Sequence, residues 1–232
     1  MHYVRFARLF VGLLVTTVFS ILLPGKEVLA DDTRLYWSAA YIHSKSDFIA
    51  ERDMASNFSR FFFAQREATG FSQIVTGLDD VDSGFKLSWG YSVNTDFDWE
   101  VGFIDFGNLA GEYAAYEIRG LNWESAQQRT EAESKGFFAH VQWSPELYTN
   151  LELTLRLGLL RWDAKRDTRF QSVNPFDVDR RRIENEAGVD EYYGAGLLYN
   201  FGSLFGVRLD WNRYKLAEYE TDSIEAAAQI YF

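Results

Sequence analysis

The stretch LELTLRLGLLRW, residues 151–162, constrains the fold more than any other segment. Leucine occupies every second position from Leu151 to Leu159, with Glu152, Thr154, Arg156 and Gly158 between. Successive side chains of a β-strand point to opposite faces, so this spacing makes one apolar face and one polar face. Two surroundings satisfy such a strand. In a soluble sheet the leucines cover a core and the charges meet water, whereas in a membrane barrel the leucines meet lipid and the charges line the lumen.

The rest of the chain decides between them. Alternation recurs in eight segments: 35–44, 83–92, 99–106, 136–143, 151–162, 192–201, 206–216 and 223–232. Most approach the ~9–11 residues of a tilted membrane-spanning strand and exceed the ~5–6 common in globular sheets. Their connections alternate in length: 93–98, 144–150 and 202–205 are short, while 45–82, 107–135 and 163–191 are long, with 217–222 the short exception. Short turns at one end and long loops at the other describe an up-and-down barrel with a periplasmic and an extracellular side. Aromatic residues make up 17% of the chain against three prolines, which favours long unbroken ladders.

One register collects Phe85, Leu87, Trp89, Tyr91, Trp99, Val101, Phe103, Phe137, the leucine ladder, Tyr193, Leu197, Tyr199, Val207, Leu209, Trp211, Ile224, Ile230 and Phe232. The other holds Lys86, Glu100, His140, Glu152, Arg156, Arg208, Asp210 and Glu225. Trp99, Trp143, Tyr199 and Phe232 lie beside the short turns, as an interfacial aromatic girdle requires. The expected fold is therefore all-β: an eight-stranded antiparallel up-and-down transmembrane β-barrel whose wet side is its interior. Lipid cannot satisfy a bare strand edge, so 35–44 must pair with 223–232.

At the amino terminus Arg5 and Arg8 precede an apolar run from Leu9 to Leu23, Pro24 and Gly25 end it, and Val28-Leu29-Ala30 resembles a cleavage site. The run is shorter than the ~20 residues of a spanning helix. Residues 1–30 read as a removed secretory signal and 31–232 as the barrel. Removing the signal leaves 20 basic and 33 acidic side chains, a net charge of −13, which argues against nucleic acid as a partner. The absence of cysteine excludes disulfides, thiolate metal sites and cysteine nucleophiles.

DSGFKLSWGYSVNTDFDWEVGFIDFG (82–107) resembles the second hairpin of the OmpA-like transmembrane barrels, and LRLGLLRWDA (155–164), DEYYGAGLLYNF (190–201), RLDWNRY (208–214) and the terminal IYF follow in the same order. The resemblance implies an outer-membrane barrel in which a few inward charges pair and plug the lumen, and it maps that role onto Glu100, His140 and Arg208. Leu198 departs from it, standing where the family often has an inward Glu. The family's larger members add a peptidoglycan-binding domain after the barrel; this chain ends on the last strand, so tethering through such a domain is not expected. Phe232 looks like the carboxy-terminal signal read by the outer-membrane assembly machinery.

The expected site is thus a structural charge network of Lys86, Glu100, His140, Arg156, Arg208 and Asp210, since an eight-stranded interior is just filled by side chains and its charges need partners. A small-solute or ion porin and a soluble secreted barrel binding an apolar ligand are the alternative readings. No catalytic, cofactor or metal residue is expected: His43 and Ser44 are strand neighbours on opposite faces, and His140 has no serine on its own face. Lipid and lipopolysaccharide are the expected partners, with Phe58, Phe61, Phe62 and Phe63 and the run Asp179-Arg180-Arg181-Arg182 as candidate contacts from the long loops. Deleting Phe232, or adding a polar tail after it, should slow assembly and leave chain in the periplasm; normal outer-membrane levels of both variants would remove its role as an assembly signal.

Overall fold

The computed structural model describes residues 34–46, 73–79, 81–119, 122–172, 180–217 and 219–232. The expected signal segment, Phe58 to Phe63 and Asp179 lie outside these. Ten strands are formed: β1 (Arg34–Ser46), β2 (Gln73–Asp79), β3 (Val81–Ser92), β4 (Phe97–Arg119), β5 (Asn122–Trp143), β6 (Glu146–Tyr148), β7 (Leu151–Ser172), β8 (Arg180–Asn200), β9 (Phe205–Leu216) and β10 (Tyr219–Tyr231). Eight of them close a barrel in the antiparallel order β1-β3-β4-β5-β7-β8-β9-β10, and β10 returns to β1. Of the other two, β2 pairs with β4 and the three-residue β6 pairs with β7.

The closing seam runs from Tyr36↔Tyr231 to Ser46↔Thr221, and the Phe232 N–H donates to the Leu35 carbonyl at 2.9 Å. No strand edge faces lipid at this seam. The turns on the opposite side from the long connections are tight. The Asn94 Oδ1 accepts from the N–H groups of Asp96 and Phe97, each at 2.9 Å, a side-chain mimic of a backbone turn. Gly202, at φ 77°, supplies the left-handed residue of the 201–204 turn.

The faces follow the alternation. Leu87, Phe137, Leu157, Leu209 and Ile224 are 51–67% exposed on the outside, a band that would be untenable in water and is ordinary against hydrocarbon. On β7 it extends from Leu151 to Leu159, roughly 20 Å of height at a tilt of about 40°. It ends abruptly: the next outward positions are Lys135, Arg161, Asp163, Glu191, Arg213 and Lys215.

Two of the long connections are largely strand where they are described. The β4–β5 ladder continues to Arg119↔Asn122, β5–β7 to Ala126↔Ser172 and β7–β8 to Phe170↔Arg180, so 107–135 and 163–191 are mostly strand. Beyond the band their outward positions carry no apolar ladder, which hides them from a hydrophobicity pattern. The ladder persists because each strand has an ordered neighbour and no proline falls within 107–135 or 163–172 to remove a donor. The Arg180–Arg182 run, read as a loop, is accordingly part of β8.

A bulge marks the start of this extension. Asp105 pairs with Lys135 but Asn108 with Glu133, so Phe106 and Gly107 together oppose Ser134. Gly107 sits at φ 85°, and its N–H donates to Asp105 Oδ1 at 2.9 Å. The extra residue changes the phase of β4: Asp98, Glu100, Ile104 and Phe106 are buried before it, Leu109 and Gly111 after it.

Leu157→Arg is expected to cost ~2–4 kcal/mol because it buries a cation near mid-bilayer. Asp163→Arg, above the band, should leave stability nearly unchanged. Urea unfolding in lipid vesicles, with heat-modifiable migration as the check on insertion, compares them; equal stabilities would remove the lipid-facing assignment.

Candidate functional site

Even-numbered residues of β4, β5, β7, β8 and β9 point into the lumen over the band, and they bring the charges predicted from sequence to one place. Arg208 and Asp210 are neighbours on the inward face of β9, joined by Arg208 Nε donating to Asp210 Oδ2 at 2.8 Å. The same guanidinium reaches across to β4, where Nη1 donates to Glu100 Oε2 at 3.0 Å and Nη2 to Oε1 at 3.4 Å. Arg156 on β7 meets the other oxygen of Asp210, Nη2 to Oδ1 at 2.5 Å. The side-chain oxygen of Gln142 then ties the two arginines together, accepting from Arg156 Nε at 2.7 Å and Arg208 Nη1 at 3.3 Å.

A second circuit lies towards β1 and β10. Lys86 Nζ donates to Glu225 Oε2 at 3.2 Å and stands 4.4 Å from the centre of the Phe138 ring. The other oxygen of Glu225 accepts from Tyr214 OH at 2.7 Å and Ser223 Oγ at 3.0 Å. Lys86, Arg156 and Arg208 thus face Glu100, Asp210 and Glu225, three cations to three anions, and each of the six is at most 3% exposed. At such burial a charge is tolerable only beside its partner.

His140 stands apart from this exchange. Its Nδ1 shares a 2.5 Å hydrogen bond with Tyr192 OH, while Nε2 lies 4.0 Å from Glu100 Oε2 and has no hydrogen-bond partner among the described residues. Glu152 is half-buried at the turn end and accepts from Asn200 Nδ2 at 2.7 Å, away from the arginines. Leu198 is inward and buried, so the sixth barrel strand contributes no acid; Asp210 and Glu225 on β9 and β10 balance the cations instead. Close backbone approach makes room for them. A Cβ on Gly196 would fall on Asp210 Oδ1, which confines that position of β8 to glycine.

What the charge pattern missed is aromatic. Tyr36, Tyr192 and Tyr214 are buried in the lumen, and Tyr36 OH donates to Glu100 Oε2 at 3.2 Å. Their even numbers placed them on the inward register of each strand, but they carry no charge and were passed over. Above them, towards the long strands, the lumen turns apolar. Phe106 and Tyr214 pack edge to face with centroids 4.9 Å apart, Tyr214 stacks on Tyr192 at 4.7 Å, and Phe138 meets Tyr192 at 6.2 Å. Ile42, Ile104, Leu160, Trp162 and Leu216 complete one buried cluster with them.

The arrangement offers charge pairing and close packing. Among the described residues no group of His, Cys, Asp and Glu is placed to hold a metal ion. No family model and no curated protein sequence matches the chain. Similar solved structures include Ail, the attachment invasion locus protein of Yersinia pestis, 16% identical over 87% of this chain and 99% of that one, with a TM-score of 0.44. Neisserial surface protein A, NspA, is 13% identical over 85% and 97%, with a TM-score of 0.48. The N-terminal β-barrel domain of Pseudomonas aeruginosa OprF is 10% identical over 85% and 97%, with a TM-score of 0.39.

Arg208→Ala strands Glu100 and half of Asp210 in a desolvated interior, and should cost ~3–5 kcal/mol. Arg208→Lys keeps the charge but cannot span both carboxylates, so it should fall between wild type and alanine. Urea midpoints of the three refolded proteins measure this; an unchanged midpoint for the alanine variant would show that the bridge carries no stability.

Proposed function

We propose that this chain is an outer-membrane barrel, exported through a cleaved signal at residues 1–30, whose closed lumen serves as a rigid stem for a sheet held outside the membrane. Its role is contact with molecules at the cell surface and support of the envelope; it is neither a porin nor an enzyme. One observation carries this reading: the ladders of β4, β5, β7 and β8 continue past the apolar band for about ten residues each, roughly 30 Å of strand. Strands of that length are unnecessary for anchoring, and short periplasmic turns with long extracellular segments are the usual orientation of such barrels.

The projecting sheet is braced in its own right. On its outer face Arg181 grips Asp167 through Nε to Oδ1 at 2.9 Å and Nη2 to Oδ2 at 2.5 Å. Arg129 pairs with Glu131 at 3.0 Å and Glu112 at 3.5 Å. The hydrogen bonds from Arg181 hold the Asp167 carboxyl down to about 2, below its ordinary 3.8. A depressed carboxylate contributes stability above its unfolded value, so this clamp is present above about pH 4 and is lost only as pH falls through about 2. Below it, Asp190 pins the β9–β10 turn, accepting from Trp162 Nε1 at 2.7 Å and the Ala217 N–H at 2.9 Å. From there upward, over Arg181 to Val189, the edge of β8 away from β7 pairs with no strand among the described residues. Such a strand edge is a ready surface for another chain. Lipopolysaccharide and the assembly machinery, the latter through Phe232, are the partners consistent with a barrel of this kind.

The chain has no cysteine, so single thiols report its orientation. A membrane-impermeant thiol reagent applied to whole cells should label Arg181→Cys and spare Asp96→Cys, with both proteins in the outer-membrane fraction. Trimming the sheet to its Ala110↔Glu131 and Arg166↔Glu184 rungs should then leave a heat-modifiable barrel but lower adhesion of cells to serum-coated surfaces. Protein in the soluble fraction would overturn the membrane reading, and undiminished adhesion would overturn the surface role.

A further inference from the structure

Two kinds of material fill the lumen, and they are segregated along its axis. The turn half holds the ion pairs together with several buried polar atoms that have no hydrogen-bond partner among the described residues: Ser38 Oγ, Ser88 Oγ, Arg156 Nη1, Gln229 Nε2 and both amide atoms of Asn212. Each belongs to a residue at most 5% exposed. Buried groups of this kind are rarely left bare; they bind internal water. Next along the axis is the aromatic and aliphatic cluster, whose rings and methyl groups offer water nothing to bond; polar side chains return beside and beyond it, with Ser44, Ser46, Ser134 and Thr221 lining a small cavity against Phe106, Leu109 and Leu216.

The boundary between them is built from tyrosines. Tyr192 and Tyr214 turn their hydroxyls down, to His140 Nδ1 and Glu225 Oε1, and lay their stacked rings over the charges. Phe138 and Phe106 extend that ring layer to either side, and Ile104 and Leu160, both fully buried, belong to the same apolar cluster. An ion pair is a poor barrier by itself, because an entering ion or water can exchange with either partner. An apolar constriction blocks ions by refusing to hydrate them.

We infer that the permeation barrier of this barrel is the ring layer of Phe106, Phe138, Tyr192 and Tyr214, and that internal water is confined to the unpartnered polar atoms among the buried ion pairs on its turn side. The inference rests on the closed-lumen reading above and assigns the closure to one set of residues. The charges then set stability, and the rings set tightness. Opening the barrel requires removal of rings.

Planar-bilayer recording separates the two assignments. Wild type and Arg208→Ala should show no open-channel steps, while the double variant Phe138→Ala with Tyr192→Ala should show them; Tyr192→Phe, which keeps the ring and loses the hydroxyl, should stay closed. Steps in Arg208→Ala, or silence in a folded double variant, would overturn the inference. Open channels in wild type would instead overturn the closed-lumen reading itself. A second measurement does not depend on the double variant folding. In otherwise wild-type protein, silver ion should react readily with a thiol at Ser88→Cys, on the turn side of the rings, and slowly with one at Leu160→Cys, within the apolar cluster. Equal or reversed rates would place water on the wrong side of the rings and overturn the assignment.

Discussion

Closure of the sheet is the constraint from which the rest descends. Hydrocarbon offers no hydrogen bonds, so β1 must find β10, and with eight strands the circle that results has an interior that side chains just fill. Every inward side chain therefore meets another across a few ångströms. Charges placed there are compelled to pair, which is why Arg208 bridges Glu100 on the far wall and Asp210 on its own strand. The same narrowness lets four aromatic rings span the lumen.

Much of this was legible in the sequence because the membrane imposes a strict contrast. Outward positions in the band answer to lipid alone, so the leucine ladder, the eight segments and the pairing of the two terminal strands could be read from period-two alternation. Outside the band that contrast vanishes. The described parts of 107–135 and 163–191 meet water on their outer face, so without an outward apolar ladder they resemble loops in sequence although they continue the ladders. Their strand character comes from neighbours, which a sequence does not display.

The lumen was half legible for a related reason. Charged residues on the inward register are conspicuous, and the arginines, Lys86 and the carboxylates were found by parity. Which cation meets which anion was not, because Gln142 and the tyrosines mediate the contacts and strand stagger sets which rungs share a level. Apolar residues on the inward register, such as Leu160, Trp162 and Leu216, contradict a simple rule of polar interiors. They make sense once the lumen is seen as a packed core over part of its length, where aliphatic and aromatic side chains fill space as they do in a soluble protein.

The bulge at Phe106 and Gly107 has a consequence for how such a chain can diversify. Below it the parity of β4 is fixed by lipid on one side and the ion pairs on the other; above it the parity is set afresh by Leu109 and Gly111. The strand thus contains two reading frames of sidedness joined at a glycine. Residues can be gained or lost in the upper frame without turning Glu100 to the bilayer, so the part of β4 beyond the band is free to drift while the anchored part is held.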